Sequence, residues 1–471
     1  MSFNIEIDNS YCYLDINKDI RLLNIIHQHC SVKYYYFIKD WKTHKPSKKL
    51  REIIYYSTEN NKFKFPRGWL WDVYESLILL DTVTISDIRR TFKPIPLHSE
   101  EVSKLKFYPY QDEAARLAIE YRYGIIHHPT GSGKTITMVN IINQVGFPGI
   151  IMVPSLMLMY QTKEVMEKFF PEYKVGLVGD SEFDIGQIIV GTSDSLFLKL
   201  SKINDAYKNT WKFLFIDECH HLREAKELNT RYYDASMGID ASMKIGFTAT
   251  PGDINTVKRR ILEGATGGVL HYLSDAEARE YGIIVDMEVY ILAAACDEYK
   301  RDQNDLANWQ FEYKTNMLNN NKYHEQIRDV ARSLVAKGLS TLIIVDRVGK
   351  HLKVLEEMIP EAEVLYGATE KDLREDIKER FENNEIPLLI STIVKEGVNI
   401  KNIEAIIMAG GGKDSDALIQ KIGRGLRWKE GKDKLILVDF MFDDGILQKH
   451  SKERIKTYKK KDYQIFYVSE I

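Results

Sequence analysis

Cysteine is scarce in this chain. Four are present among 471 residues, Cys12, Cys30, Cys219 and Cys296, and none forms a Cys-x-x-Cys pair. That spacing argues against a zinc ribbon and against a disulfide framework, and fits a reducing compartment. Strong net charge is also lacking. The 65 Lys and Arg residues nearly cancel 68 Asp and Glu, leaving −3, so any surface for nucleic acid has to be a local patch. No apolar run approaches the ~20 residues of a membrane helix. The opening stretch MSFNIEIDNS has neither a basic n-region nor an apolar h-region, so the expected location is the cytoplasm. No repeat of solenoid period occurs. What remains is a globular composition, 44% hydrophobic and 28% charged, long enough for about three domains.

The organisation changes along the chain. Residues 1–95 are rich in Tyr, Trp and Lys. They combine strand-like stretches, Tyr11 to Ile16 and Lys33 to Ile38, with a helical one, Asp19 to Gln28. Thr91 to Leu97 contains Pro94 and Pro96 and reads as an extended linker, because each proline biases its predecessor away from helix. Beyond it, short apolar strands alternate with amphipathic helices. The first series comprises Gly124 to Ile126, Gly149 to Val153, Gln187 to Val190, Phe213 to Ile216 and Lys244 to Phe247. The second comprises Ser340 to Val345, Ala362 to Leu365, Leu388 to Ile390, Ala405 to Met408 and Lys434 to Val438. Such alternation predicts parallel sheets covered by helices. The expected architecture is α/β: a small α+β domain over 1–95, a first lobe over 96–285 and a second over 286–471.

Four motifs carry chemistry. His128 to Thr135 reads His-Pro-Thr-Gly-Ser-Gly-Lys-Thr between a strand and a helix. Backbone amides of Thr130, Gly131, Ser132 and Gly133 suit phosphate oxygens, and the helix N-terminus adds positive potential. Lys134 suits the β- and γ-phosphates, and the Thr135 hydroxyl suits Mg²⁺. His128 stands where the phosphate-loop pattern has glycine. Asp217-Glu218-Cys219-His220 follows an apolar strand. There Asp217 suits Mg²⁺, and Glu218 suits a general base acting on water. Thr248-Ala249-Thr250 again ends a strand, where its two hydroxyls could bond the acidic motif. Finally, Gln420 to Arg427 places Arg424 and Arg427 three apart on one helix face. They read as arginine fingers for a phosphoryl group or as a basic surface helix.

In this order, on two α/β lobes, these motifs resemble a superfamily 2 helicase over about residues 105 to 440. The resemblance implies two RecA-like lobes with ATP and Mg²⁺ between them, and lobe closure that brings Arg424 and Arg427 onto the γ-phosphate. It places Gln420 in the catalytic set, and His220, Thr248 and Thr250 as coupling residues. Tyr108-Pro109-Tyr110-Gln111 resembles the adenine-contacting motif, with Gln111 reading the base. Val153-Pro154-Ser155 and Gly191-Thr192 resemble strand-tracking motifs, which makes Pro154 and Thr192 nucleic-acid contacts. Ser391-Thr392 with Glu396-Gly397 resembles motif V, giving Thr392 to the strand and Gly397 to the nucleotide. Where that motif usually has Asp, this chain has Asn399. Arg347, after the strand of motif IV, is a phosphate-contact candidate. The layout also resembles phage recombination helicases of the UvsW kind, which implies DNA fork reversal and branch migration in a bacterial or phage-infected cytoplasm. DNA is then the partner, with other replication or recombination proteins.

Two basic stretches could hold DNA. Lys33 to Arg51 interleaves lysines with Tyr34, Tyr35, Tyr36, Phe37 and Trp41; it reads as a junction wedge or as a small sheet with its aromatic face in a core. Lys449, Lys452 and Lys456 share one side of a basic tail helix, which reads as a contact or as a solvated face. Three further readings stay open: a duplex-translocating motor of a restriction-type complex, for which no nuclease constellation is apparent, an RNA helicase, and an ATP-switched nucleic-acid sensor.

Overall fold

The structure, a computed structural model, describes residues 2–16, 19–39, 46–208, 210–223, 230–254, 256–296, 299–300, 309–392, 402–413, 418–419, 422–423, 425–429 and 431–469. Trp41, Glu396, Gly397, Asn399, Gln420 and Arg424 lie outside the described residues. The chain divides into two compact units, Met1–His128 with Gly133–Leu273, and Ser274–Ile471 with Pro129–Ser132. The sequence placed a boundary at 285/286 and another at 95/96. Ser274 onward groups with the second unit, and the N-terminal residues group with the first lobe.

The first lobe is an eight-stranded sheet. Its order is Glu182–Phe183, Val175–Gly179, Ile188–Thr192, Gly149–Val153, Trp211–Ile216, Ala241–Thr248, Tyr123–His127 and Val269–Tyr272. Every pairing is parallel except that of the short edge strand Glu182–Phe183. The central strands are mostly apolar and, apart from Lys212, buried along their length, as a sheet covered on both faces requires. The second unit holds seven parallel strands in the order Glu363–Leu365, Leu388–Ser391, Thr341–Ile344, Ala405–Met408, Lys434–Met441, Asp286–Ala293 and Gln464–Val468. Its basic helix, Gly445–Lys460, buries Leu447, Arg454, Ile455 and Tyr458. Arg454 pairs with buried Asp439 at 2.8 Å, while Lys449, Lys452 and Lys456 stay exposed.

The N-terminal residues form a five-stranded mixed sheet. Ser2–Ile7 lies parallel to Thr82–Asp87 and antiparallel to Tyr11–Asp15. Helices Ile20–Cys30 and Leu70–Ile78 pack on it, and a two-stranded ribbon pairs Ser31–Lys39 with Pro46–Ile54. This sheet is docked on the first lobe. Trp69 is 1% exposed and donates its indole N–H to the Arg260 carbonyl at 3.0 Å. A Cβ on Gly68 would stand 1.7 Å from the Glu263 carbonyl oxygen, so only glycine permits the approach. The Arg67 guanidinium lies 4.2 Å from the centroid of the Tyr123 ring. The expected linker is pinned to the first lobe: Ile95 and Leu97 N–H donate to the carbonyls of Val145 and Asn143.

Lys244 lies at this junction. It is fully buried in the strand Ala241–Thr248 and donates to Ser10 Oγ at 3.0 Å. Burial, then the nearby Arg67 guanidinium, push its ammonium down to about 7, against the opposing pull of Asp8 and Asp240. The folded pKa lies below the unfolded one, so between about pH 7 and about pH 10.4 the unfolded chain binds more protons. Stability from this group therefore rises with pH across that window, by up to about 1.4 kcal/mol per unit. Lys244→Met should remove the rise and raise the melting temperature near neutral pH. Melting curves that keep the full slope in the variant would show that the lysine does not titrate there.

Candidate nucleotide-binding and catalytic site

Parallel pairing carries the first three motifs to one sheet edge. The strand Tyr123–His127 runs beside Ala241–Thr248 with His127 opposite Thr248. Ile216, the last strand residue before Asp217, pairs with Gly246 on one side and Met152 on the other. The phosphate loop then turns through Gly131 and Gly133, at φ +90° and +76°, in the left-handed region that favours glycine. Ser132 Oγ donates to the Pro129 carbonyl at 2.8 Å. The helix Lys134–Val145 starts from Gly133 without a side-chain cap, leaving its first-turn amides for an anion.

Gln111 is buried. Its Oε1 accepts from the Tyr108 N–H at 3.1 Å, and its Nε2 would stand 2.9 Å from a Cβ on Gly133. The residue expected to read a base thus also braces the phosphate loop against the helix Pro109–Tyr121. The half-exposed Tyr108 ring stacks on Tyr110 at 5.6 Å. His128 is buried, with Nε2 2.8 Å from His271 Nδ1. Burial, then His271, push it down to about 2, so it is a neutral structural ring.

Glu218 sits at φ +46°, an unusual conformation for a side-chain-bearing residue and costly by ~1–2 kcal/mol. The turn is held from two sides. The Glu218 N–H donates to Asp217 Oδ1 at 3.0 Å, and the Tyr232 hydroxyl donates to the Asp217 carbonyl at 2.8 Å. Burial opposes the Glu218 charge, but the Lys134 ammonium and then His220 outweigh it and hold the carboxyl down to about 2. Glu218 is therefore a carboxylate at neutral pH. His220 Nδ1 lies 3.3 Å from Glu218 Oε2 and 3.1 Å from Thr248 Oγ1, and the Thr250 N–H donates to the same Thr248 oxygen at 3.0 Å. A continuous polar chain runs from Glu218 through His220 and Thr248 to Thr250. Tyr232 and His271 carry no motif in the sequence, and only the fold brings them here.

Other expected residues fall at strand ends. Thr192 pairs with Val153, so it lies beside Pro154, and its hydroxyl donates to Ser195 Oγ at 3.0 Å. In the second unit Ile344 pairs with Ser391, which brings Arg347 and Thr392 to line one cavity. Arg427 forms a backbone bridge to Ile284, and its Nε is buried without a hydrogen-bond partner among the described residues.

With this geometry in place, two family matches are informative. Residues 104–253 match Type III restriction enzyme, res subunit, and residues 325–429 match the helicase conserved C-terminal domain. Together they span more than half of the chain, and the chain belongs to the superfamily 2 helicases. It is an ATP-driven helicase, an ATP hydrolase coupled to movement on nucleic acid. Among curated relatives, the DNA 3'-5' translocase XPB2 of Sulfurisphaera tokodaii is 25% identical over 73% of this chain and 83% of its own. Among solved structures, S. cerevisiae Dbp5 bound to RNA and ADP BeF3 aligns at 18% identity over 79% of this chain and 94% of its own, with a TM-score of 0.56. The type ISP restriction-modification enzyme LlaBIII bound to DNA aligns at 16% identity and TM-score 0.56 over 85% of this chain, which spans 34% of it. At these identities the two structures establish the fold.

Gly133→Ala should test the loop. The left-handed backbone costs an alanine ~1–2 kcal/mol, and its Cβ would press on the Gln111 amide. Expected are a stability loss of that size by denaturant titration and weaker binding of a fluorescent ATP analogue. Unchanged nucleotide affinity would show that the loop geometry is not what binds.

Proposed function

We propose that the chain is a DNA helicase that remodels branched DNA, with ATP hydrolysed at the first-lobe edge. The observation that carries the chemical part is the chain Glu218–His220–Thr248–Thr250 beside Lys134. In this reading Lys134 and the loop amides bind the phosphates. The donor set suits Mg²⁺: the Thr135 hydroxyl and the Asp217 carboxylate are the hard oxygens that would hold it, and the ion would neutralise charge on the β- and γ-oxygens. Glu218 orients water and accepts its proton. The His220–Thr248–Thr250 chain senses whether the outermost phosphate is present. Arg427, whose Nε has no partner among the described residues, is assigned with Arg424 to the transferring phosphoryl group, and Gln420 and Gly397 to the same site. Pro154, Thr192, Arg347 and Thr392 lie at loop ends suited to the bound strand.

Support for branched DNA comes from the N-terminal residues and from their resemblance to UvsW-type enzymes. On the ribbon, Tyr35 is 61% exposed and the Lys48 ammonium sits 3.8 Å from its ring centroid. This aromatic therefore faces outward instead of filling a core. A restriction-type motor is the second reading. It is favoured by the description of the first-lobe family and by the DNA-bound enzyme of similar fold.

Glu218→Gln should keep ATP binding and lower turnover by roughly 10²–10⁴-fold; near-normal turnover would remove the base assignment. Arg427→Ala should slow hydrolysis far more than it weakens nucleotide binding, and equal losses would make it a ground-state ligand. Deleting residues 1–95 is a poor probe of the DNA reading, because it would bare Lys244, Ile261 and Tyr233. The double substitution Lys48→Ala with Lys49→Ala is preferable. It should weaken fork binding more than single-strand binding and lower the salt slope by up to ~2 for duplex contacts. Equal effects on forks and single strands would favour the restriction-motor reading.

A further inference from the structure

The second unit holds a cavity of about 880 Å³ at the same edge as its strand ends, within the size range of small-ligand clefts, about 300–1,000 Å³. Its wall contains groups that the ATP chemistry does not use. Trp309 and Tyr313 lie one helical turn apart, with ring centroids 5.8 Å from each other. The Arg347 guanidinium stands 4.9 Å from the Tyr313 ring centroid and 5.9 Å from that of Trp309. Trp309 is 43% exposed, and Arg347 is exposed as well. Gly410-Gly411-Gly412 also lines the cavity. A Cβ at Gly410 would collide with the Asp346 carboxylate, and one at Gly411 with Met317. The Gly411 N–H donates to Asp346 Oδ2 at 3.0 Å. Thr392 and Lys413 complete the opening.

A packing role alone leaves two features unexplained. An exposed indole beside an exposed guanidinium contributes little to a core. Tyr313 is 2% exposed, yet its hydroxyl is buried with no hydrogen-bond partner among the described residues, although buried hydroxyls are normally satisfied. Aromatic rings and guanidinium planes are the surfaces on which unstacked bases lie. A buried phenol lacking a partner is a donor suited to a base edge, and a hydroxyl with an ammonium suits the attached phosphate.

We infer that this cavity is a subsite for one unstacked nucleotide of the bound strand. Its base lies against Trp309 and Arg347 with its edge toward the Tyr313 hydroxyl, and its phosphate lies toward Thr392 and Lys413. The inference rests on the reading of the chain as a strand-binding helicase, and it makes the motor count bases as well as phosphates. A free mononucleotide has the same chemistry, so the test separates the two sources.

Full-length protein would be titrated into two labelled single strands of equal length, oligodeoxythymidine and a fully abasic oligomer, by fluorescence anisotropy. Wild type should prefer the strand with bases. Trp309→Ala should weaken oligodeoxythymidine binding by about 5- to 150-fold, the range for losing one stacked base, and leave abasic binding unchanged. Trp309→Phe should restore most of the affinity, which separates stacking from misfolding. Tyr313→Phe keeps the ring and should alter the preference among homopolymeric strands of different bases. Equal losses on both strands would overturn the base subsite. AMP alone binding the wild type through Trp309, with no strand discrimination, would make it a free-nucleotide site and overturn the strand source. Failure of the wild type to bind either strand would strike the helicase reading itself, whereas strand binding indifferent to both bases and Trp309 strikes this inference only.

Discussion

Parallel pairing at fixed register is the constraint from which the site follows. The strands Gly149–Val153, Trp211–Ile216, Ala241–Thr248 and Tyr123–His127 all run one way, so the residues just past their ends emerge at a single edge. Hydrophobic alternation cannot set that register, because these strands are buried on both faces. Size complementarity does so instead. Gly149 lies opposite Phe213, and a Cβ there would meet the ring at 2.0 Å. Gly246 lies beside Cys219, and a Cβ would meet its Sγ at 2.8 Å. A shift along either strand would place a side chain where only glycine fits. It would also carry Asp217 and Thr248 away from the phosphate loop. Packing in the sheet interior thus sets the positions of polar groups at its edge.

The local conformation at Glu218 shows how that edge is used. A left-handed backbone at a glutamate is unfavourable in isolation. Here it is held by the Asp217 side chain in front and the Tyr232 hydroxyl behind. The turn points the carboxylate toward Lys134 while leaving it beside His220. One imidazole nitrogen near both Glu218 and Thr248 then joins the second motif to the third. Any movement of the Thr248–Thr250 segment changes the environment of the carboxylate through a single intervening ring.

Much of this was legible in the sequence. Apolar runs bounded by turn residues located the central strands, Gly149–Val153 and Ala405–Met408 to the residue, and the first three motifs lie at the ends of their strands. What was not legible depends on contacts distant in sequence. Val175–Gly179 and Gln464–Val468 are short and lie near sheet edges, with little periodic signal. Tyr232, His271 and Trp309 belong to no local pattern. Nothing local in the sequence marks Lys244 as buried; its partner Ser10 is 234 positions away. The Pro94–Pro96 stretch lies in neither helix nor strand. Its carbonyl partners at Val145 and Asn143 could not be inferred, because backbone pairing of a single strand leaves no compositional trace.

Docking of the N-terminal sheet changes what that region can contribute. A mobile module on a linker could sample many orientations, and its effect on DNA would be one of local concentration. Residues 1–95 are instead fixed to the first lobe by Trp69, Gly68, Arg67 and the buried Lys244. Most of these contacts fall on Val257–Thr266 and on the strand Ala241–Thr248, whose far end carries Thr248. The ribbon bearing Tyr35 and Lys48 and the strand that bears Thr248 therefore belong to one packed body. A load on the ribbon from a DNA arm would be transmitted through close-packed side chains, which resist deformation. The same packing explains why the domain cannot be removed without cost to the lobe beneath it. The surface proposed to meet the junction and the hydroxyl proposed to sense the phosphate are thus built on one compact unit.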